Sequence, residues 1–446
     1  MLKRAWSVAL MFVALSVPLL ARAGVVPAGT EFQVDTYTSQ DQIGGAVCAA
    51  PDGSFVVVWN SGPIDPDIFA QRYASNGAKA GSEFQVNTYT PSDQYLPQIC
   101  CDAAGDFVVV WQSHYQDGEF AGLFGQRFAS SGAFLGTEFQ VNTYTTGSQG
   151  AAQICCDAAG DFVVVWANFS EVGSQSEIVG QRFLSDGSFS GGEFHVNTYT
   201  PGYQSYPALC CDVSGDFVVV WESDGQDGNR FGVFGQRFAS NGLLLGSEFQ
   251  VNTYTTGQQI GPAICCDREG DFTVVWDSYP EGFNPSGPGG DVFGQRFASG
   301  GEPRGTEFQV NVYTTGRQNE FGGGAICCGP NGDFVVTWSS YGQDGDLDGI
   351  FARRFGHTGG ASSEFQVNTY TSGDQFGARV ACDAKGGFVV VWESAGQDGS
   401  SEGVSGQRFE LLAQIPTPAL SFAGIAAGVL ALLGAGGAAL RRRRRG

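Results

Sequence analysis

The carboxylates Asp344, Asp346 and Asp348, followed by Gly349, have the D-x-D-x-D-G spacing of a calcium loop. In such a loop alternate carboxylates converge on one hard cation, so Ca2+ is the cofactor this run suggests. The match is partial, because Ala352 and Phe355 stand where the later ligands would be expected. The tripeptide Gln-Asp-Gly also recurs at Asp117, Asp227, Asp344 and Asp398, and Asp-Gly is ordinary turn chemistry as well. The three histidines, His114, His195 and His357, occupy unrelated places in the repeats, and no triad or metal cluster can be drawn from them. The sequence contains no GxSxG, HExxH, phosphate loop or nucleotide fingerprint.

These residues hang on a repeated frame. A kernel exemplified by QICCDAAGDFVVVW, Gln98 to Trp111, returns seven times, closed by Trp59, Trp111, Trp166, Trp221, Trp276, Trp338 and Trp392. Each repeat offers four segments with strand chemistry, in the second repeat EFQVNTYT, QICCD, DFVVVW and LFGQRF, separated by Gly, Asn, Asp and Ser turns. A Gln precedes the closing Trp by seventeen residues in six of the seven repeats. In DFVVVW, Phe107, Val109 and Trp111 face one way and Val108 and Val110 the other, so both faces are apolar and each sheet must lie between two others.

The fold class expected is all-β: a seven-bladed β-propeller of four-stranded blades over residues 24–413. The segment from Glu31 to Thr38 is an EFQV strand without a repeat of its own, and the last repeat stops at Phe409 without a fourth strand. The first is expected to complete the last blade and close the ring, leaving no open edge. The Arg of each GQRF-like segment (Arg72, Arg127, Arg182, Arg237, Arg296, Arg354, Arg408) is read as structural, paired with a repeat carboxylate such as Glu83, Glu138 or Asp102.

The twelve cysteines are five adjacent pairs flanked by single Cys48 and Cys382, with Ala49 and Ala381 at the two missing positions. Adjacent strand residues face opposite neighbours. Bonding the first Cys of each blade to the second Cys of the next uses all twelve: Cys48–Cys101, Cys100–Cys156, Cys155–Cys211, Cys210–Cys266, Cys265–Cys328 and Cys327–Cys382. Packed sheets stand about 10 Å apart, too far for a disulfide except where blades converge, so QICCD is placed innermost. The bridges imply an oxidising compartment.

The ends read as targeting segments. Residues 1–23 have a basic start, an apolar run and an Ala21-Arg22-Ala23 end, the pattern of a secretory signal helix. Residues 414–446 carry a Pro-rich start, an uncharged and mostly apolar stretch from Ala419 to Leu440 and five arginines, which reads as a transmembrane helix at the inner membrane. This tail resembles the PEP-CTERM and IPTL-type sorting tails of bacterial surface proteins, although it reads Ile415-Pro416-Thr417-Pro418. The resemblance implies processing near Pro418 by an exosortase-type membrane peptidase and delivery to the cell surface or matrix; a permanent single-pass anchor is the alternative. The EFQVNTYT, GDFVVVW and GQRF repeats are also similar to those of uncharacterised secreted bacterial repeat proteins, and no activity comes with that resemblance.

Setting aside Lys3, Arg4, Arg22 and Arg441 to Arg445 leaves 15 of the 23 basic residues against 45 acidic ones, a net charge near −30. Such a surface repels nucleic acid and suits a soluble extracellular protein. Loop length varies most on one face, after the tryptophans, where the fifth repeat carries DSYPEGFNPSGPGGDV. That face is therefore the expected binding surface, with Asp117, Asp227, Asp398, Tyr279 and Phe283 in its loops. The function expected is a secreted binding or structural module that meets an extracellular glycan or protein. An extracellular polysaccharide hydrolase or lyase on the same scaffold is the second reading, since paired carboxylates can cleave glycosides, and a purely architectural envelope protein is the third.

Overall fold

The computed structural model describes residues 24–37, 40–62, 65–169, 175–281, 289–318 and 324–412. Its 29 named elements are all strands. Residues Val26–Glu410 form one compact unit; of the other unit, Met1–Val25 with Leu411–Gly446, only 24–25 and 411–412 are described. The signal helix and the sorting tail lie outside the described residues. The expectation of anchoring through a C-terminal helix is corrected: no helix among the described residues is long and apolar enough to cross a membrane, because they form strands and turns.

Each kernel folds into an antiparallel meander, and the meanders surround an axial channel as in a β-propeller. In the second repeat, the inner strand Gln94–Cys101 pairs with Phe107–His114, which pairs with Ala121–Phe128, which pairs with the short outer strand Phe139–Gln140. The EFQV segments are thus outermost strands, each belonging to the meander before it. Six hydrogen-bonded sheets result, because one parallel bridge, Ser148 to Ala121, joins the meanders of the second and third kernels into eight strands.

The outer strands are only two residues long, shorter than the period-2 pattern of EFQVNTYT predicts. An Asn side chain ends the ladder. Asn142 Oδ1 accepts from the Leu123 N–H at 2.8 Å, taking the place of a backbone acceptor, and Asn87, Asn197, Asn252, Asn311 and Asn368 do the same in their repeats. The chain then peels off toward the next inner strand.

Packing follows the two-faced kernel. Phe107, Val109 and Trp111 pack with Val56 and Val58 of the preceding meander, whereas Val108 and Val110 pack with Phe162, Val164 and Trp166 of the following one. The Gln–Trp spacing is a buried hydrogen bond: Trp111 Nε1 donates to Gln94 Oε1 at 2.9 Å, and Trp221 to Gln204 at 3.0 Å. Trp111→Ala is therefore expected to cost about 3–5 kcal/mol for the cavity, with a further penalty of about 1–3 kcal/mol for the unpaired Gln94 oxygen. Calorimetry under non-reducing conditions reads it; a midpoint within a degree or two of the parent would refute this account of the core.

The six disulfides join the pairs set out above, with Cα–Cα separations between 5.4 and 5.8 Å. No cysteine is free. The interface between first and last meanders has none and is held otherwise. Phe32 and Gln33 pair with Gly406 and Ser405 of the last meander, Val34 N donates to Val404 O at 2.8 Å, and Val34, Trp59, Ala381 and Val404 share one buried cluster.

The recurring arginines are structural, but their partners differ from the carboxylates expected. Arg72 reaches Ser130 O at 2.6 Å and Arg182 reaches Ser240 O at 2.9 Å, each a turn carbonyl of the next meander. Arg408 reaches Ser75 O at 2.6 Å, from the last meander to the first. Two of the seven also pair with a carboxylate of their own repeat, Arg354 with Asp333 and, more loosely at 3.9 Å, Arg408 with Glu410. A turn carbonyl is an unsatisfied acceptor facing the guanidinium, whereas the repeat glutamates are already engaged: Glu83 accepts from Thr36 N and Oγ1 at 2.9 and 2.8 Å.

Candidate functional site

Strand direction gives the ring two unlike ends. Inner strands run from Gln94 toward Cys101, so the turns after the cysteines lie at one end. The connections after the tryptophans, and those leading from each outer strand to the next inner strand, lie at the other, here called the loop face.

At the turn end a cavity of about 480 Å3 is lined by the disulfide cysteines with Asp102, Asp157, Asp212, Asp267 and Asp383. These carboxylates serve their own turns. Asp102 Oδ1 accepts from Ala104 N at 2.8 Å and Asp106 N at 2.9 Å, and the others repeat the pattern.

At the loop face a cavity of about 350 Å3 is lined by Leu96, Gln98, Gln153, Tyr206 and Arg379 among others. A β-bulge in six of the described inner strands shapes this mouth: the register shifts between Tyr95 and Gln98, for example, and between Ser205 and Ala208. Leu96 and Tyr206 sit on the bulges at φ 54° and 48°, which turns their side chains outward, 48% and 58% exposed. Buried carboxylates brace two of the bulges from the neighbouring meander. Glu222 Oε1 accepts from Gly261 N at 2.5 Å and Glu393 Oε1 from Gly44 N at 2.9 Å. Burial, with Asp277 nearby, pushes Glu222 up to about 8. Burial pushes Glu393 up to about 7, with Arg379 opposing the rise.

Beside the mouth, on the second meander, three side chains form a hydrogen-bonded row. Asp93 Oδ2 lies 3.3 Å from His114 Nδ1, and Tyr95 Oη lies 2.5 Å from His114 Nε2. Burial and the neighbouring Asp93 push Tyr95 up to about 12, so the phenol stays protonated beside the imidazole. Phe120 and Tyr115 cover the imidazole, with ring centroids 5.0 and 5.9 Å from it.

The residues singled out from sequence fare unequally. Asp117, Asp227, Asp344 and Asp398 each cap their own loop, Oδ1 accepting from Glu119 N, Asn229 N, Asp346 N and Ser400 N at 2.8 to 3.2 Å. Their second oxygens crowd Gly122, Gly232, Gly349 and Gly403, where a Cβ would come within 2.4 to 2.7 Å. The carboxylates are turned into their loops rather than presented. The three carboxylates of the calcium expectation are engaged within the protein: Asp344 caps its turn, Asp346 Oδ2 accepts from Gly373 N at 3.0 Å, and Asp348 pairs with Arg317 at 2.6 Å. No group of three ligands able to hold a metal ion occurs among the described residues. Tyr279 is 5% exposed and belongs to the base of its loop, and Phe283 lies outside the described residues. The sequence reading did not find Asp93, Tyr95, Tyr115, Phe120, Glu222 or Glu393. The fixed Gln–Trp spacing could have brought Tyr95 beside His114, since it sets the antiparallel register.

No protein-family model matches the chain, and no curated protein matches its sequence. Solved structures do resemble it. A protein of unknown function from Dyadobacter fermentans DSM 18053 aligns over 87% of this chain and 99% of its own at 10% identity, TM-score 0.53. A polysaccharide lyase of family PL25, an ulvan lyase bound to GlcA(1-4)Rha3S, aligns over 86% and 96% at 12% identity, TM-score 0.54. The β-propeller domain of the Trilobed protease from Pyrococcus furiosus aligns over 86% and 99% at 7% identity, TM-score 0.47. At these identities the likeness is one of fold.

Proposed function

We propose that this chain is a seven-bladed propeller, one blade per kernel, that binds extracellular polysaccharide through its loop face. The observation that carries the reading is the placement of tyrosine. All seven tyrosines among the exposed large side chains (Tyr37, Tyr115, Tyr144, Tyr203, Tyr206, Tyr254 and Tyr341) lie at the loop face, Tyr206 on an inner-strand bulge, Tyr341 at a strand end and the rest on connections, whereas the exposed Phe134, Phe189, Leu243 and Leu244 are on turns at the other end. A tyrosine ring offers a flat apolar face for sugar C–H groups and a hydroxyl for sugar oxygens, at little cost in side-chain entropy. The disulfides suit an oxidising compartment, where polysaccharide is met. The fold shared with a polysaccharide lyase is consistent with a carbohydrate role. Binding takes precedence over cleavage because Glu222 and Glu393, two carboxylates beside the mouth, are engaged by backbone N–H groups between blades.

A panel of soluble polysaccharides in affinity electrophoresis tests the reading. Retardation by at least one polysaccharide is expected, weakened about tenfold or more by Tyr203→Ala with Tyr206→Ala and unchanged by Phe134→Ala with Phe189→Ala. The reverse pattern, or no retardation by any polysaccharide, would overturn it.

A further inference from the structure

Four blades carry the same loop after the second strand, with the Gln-Asp-Gly turn at Asp117, Asp227, Asp344 and Asp398, so each is an internal control for the others. The residue two before the Asp has its backbone in the left-handed region in all four. It is Gly225 (φ 76°), Gly342 (φ 74°) and Gly396 (φ 72°) in three loops and Tyr115 (φ 60°) in the second blade. The closing hydrogen bonds match too: Gly225 N donates to Arg230 O, Gly342 N to Leu347 O, Gly396 N to Ser401 O, and Tyr115 N to Phe120 O. Any residue with a Cβ pays about 1–2 kcal/mol in this conformation relative to glycine.

The strain does not stop at one position. Ser92 stands at φ 66° where five other blades have glycine, namely Gly147, Gly202, Gly257, Gly316 and Gly373. Leu96 stands at φ 54° where Gly44, Gly261 and Gly377 serve in three blades. Of the six non-glycine residues with positive φ among those described, Ser92, Leu96 and Tyr115 thus bracket the row of Asp93, Tyr95 and His114. Strained backbone that a repeat template would relieve with glycine gathers where a ligand is met.

What the departure creates is exposed aromatic surface. Tyr115 is 56% and Phe120 55% exposed, their rings edge to face with centroids 5.7 Å apart. Phe120 replaces the Arg230, Leu347 and Ser401 of the sister loops, so the second blade alone has two aromatic rings there. Behind them stand the polar atoms of His114, Tyr95 and Asp93. Two exposed rings backed by a hydrogen-bonding row suit a pyranose, whose C–H face packs on the rings while its hydroxyls reach the row.

Charge selects the kind of sugar. Residues 91–121 contain no Lys or Arg, while Asp93, Asp117 and Glu119 are carboxylates of that stretch. Uronate and sulfate groups would be repelled there, and hydroxyls would not. We infer that Tyr115, Phe120, His114 and Tyr95 form a subsite for an uncharged pyranose residue of a neutral polysaccharide. The inference rests on the glycan-binding reading and adds to it a site and a sugar class.

The test is affinity electrophoresis of the folded protein in neutral gels (xylan, mixed-linkage β-glucan, galactomannan) and anionic gels (alginate, a sulfated galactan), with Tyr115→Gly and Phe120→Ser, which restore residues of the sister loops. Retardation by a neutral polysaccharide, reduced tenfold or more by either substitution, is expected, and Tyr115→Gly should keep or raise the thermal midpoint because it relieves the backbone. Full affinity in Tyr115→Gly alongside loss in Tyr203→Ala with Tyr206→Ala would overturn the subsite and leave the glycan-binding reading standing. Binding to anionic polysaccharides alone would overturn the sugar class. Loss of binding together with a midpoint lowered by several degrees in Tyr115→Gly would show a structural loop and overturn the subsite. No binding by the parent in any gel would overturn both readings.

Discussion

A chain carrying Ala49→Cys and Ala381→Cys is expected to form a seventh disulfide and to unfold at a markedly higher temperature than its parent. Every other adjacent pair of blades is bridged from the first Cys position of one inner strand to the second of the next, at Cα–Cα separations of 5.4 to 5.8 Å. Ala381 and Ala49 occupy those two positions at the remaining interface and pack in the same apolar cluster. The new bond would close the shortest covalent path around the ring. The chain-entropy model gives about 3 kcal/mol for a loop of ~15 residues and about 4.7 kcal/mol for one of ~100, which bracket this case. At present that interface depends on the N-terminal strand. Deleting Glu31–Tyr37 from the parent removes Phe32 and Val34 from the last blade, each worth about 1.5–3 kcal/mol of burial. It also bares the edge around Ser405 and Gly406, so a lower midpoint and self-association should follow. In the seven-disulfide chain the same deletion should cost far less. Mass analysis of non-reduced peptides and calorimetry of the four chains decide it; free thiols at 49 and 381, or equal sensitivity of both backgrounds to the deletion, would contradict the closed ring.

The scaffold was legible because its constraints are one-dimensional. The alternation in FVVVW, the Gln–Trp spacing and the two alanines in the cysteine series each translate directly into a face, a register or a bond, whatever the loops do. The loop face was not legible in the same way. Leu96 and Tyr206 look like ordinary strand residues in QYLPQICC and QSYPALCC, yet a bulge turns each into the left-handed region and out toward the channel mouth. A bulge inserts a residue without altering the apolar pattern around it, so alternation counts could not reveal it. Likewise His114 has aromatic neighbours in its own segment but no hydrogen-bonding partner there. Asp93 and Tyr95 reach it only across the antiparallel pair, and the acid–imidazole–phenol row appears once both strands are in register. The recurring Gln-Asp-Gly turns show a further limit. A short loop that must bond its own N–H groups turns its Asp inward, as Asp117 and Asp398 do, and nothing in the tripeptide tells such a cap from a presented carboxylate.

Glu222→Gln should stabilise the protein above neutral pH and leave it nearly unchanged in acid. Glu222 is 5% exposed between blades, its Oε1 bonded to Gly261 N at 2.5 Å. Burial first, then the charge of Asp277, raise its pKa to about 8 from 4.5, while the bonds from Gly261 N and Ser205 pull the other way. A carboxyl whose folded pKa lies above its unfolded one holds its proton more tightly in the native state. Its contribution to stability is therefore intact below about pH 4.5 and declines as pH rises, until the folded group has also ionised near pH 8. At ~1.4 kcal/mol for each tenfold change in proton affinity, the full span corresponds to several kcal/mol. Glutamine keeps an oxygen for Gly261 N and carries no charge to desolvate, so the variant escapes the decline. Glu393→Gln should behave alike with its upper limit near pH 7, since Glu393 rises to about 7 and Arg379 partly offsets its burial. Thermal midpoints of parent, single and double variants from pH 4 to pH 9 test this. The curves should meet near pH 4 and diverge upward, the double variant highest at pH 9. Parallel curves, or variants less stable than the parent at pH 9, would mean that the ionised carboxylates hold the blades together instead.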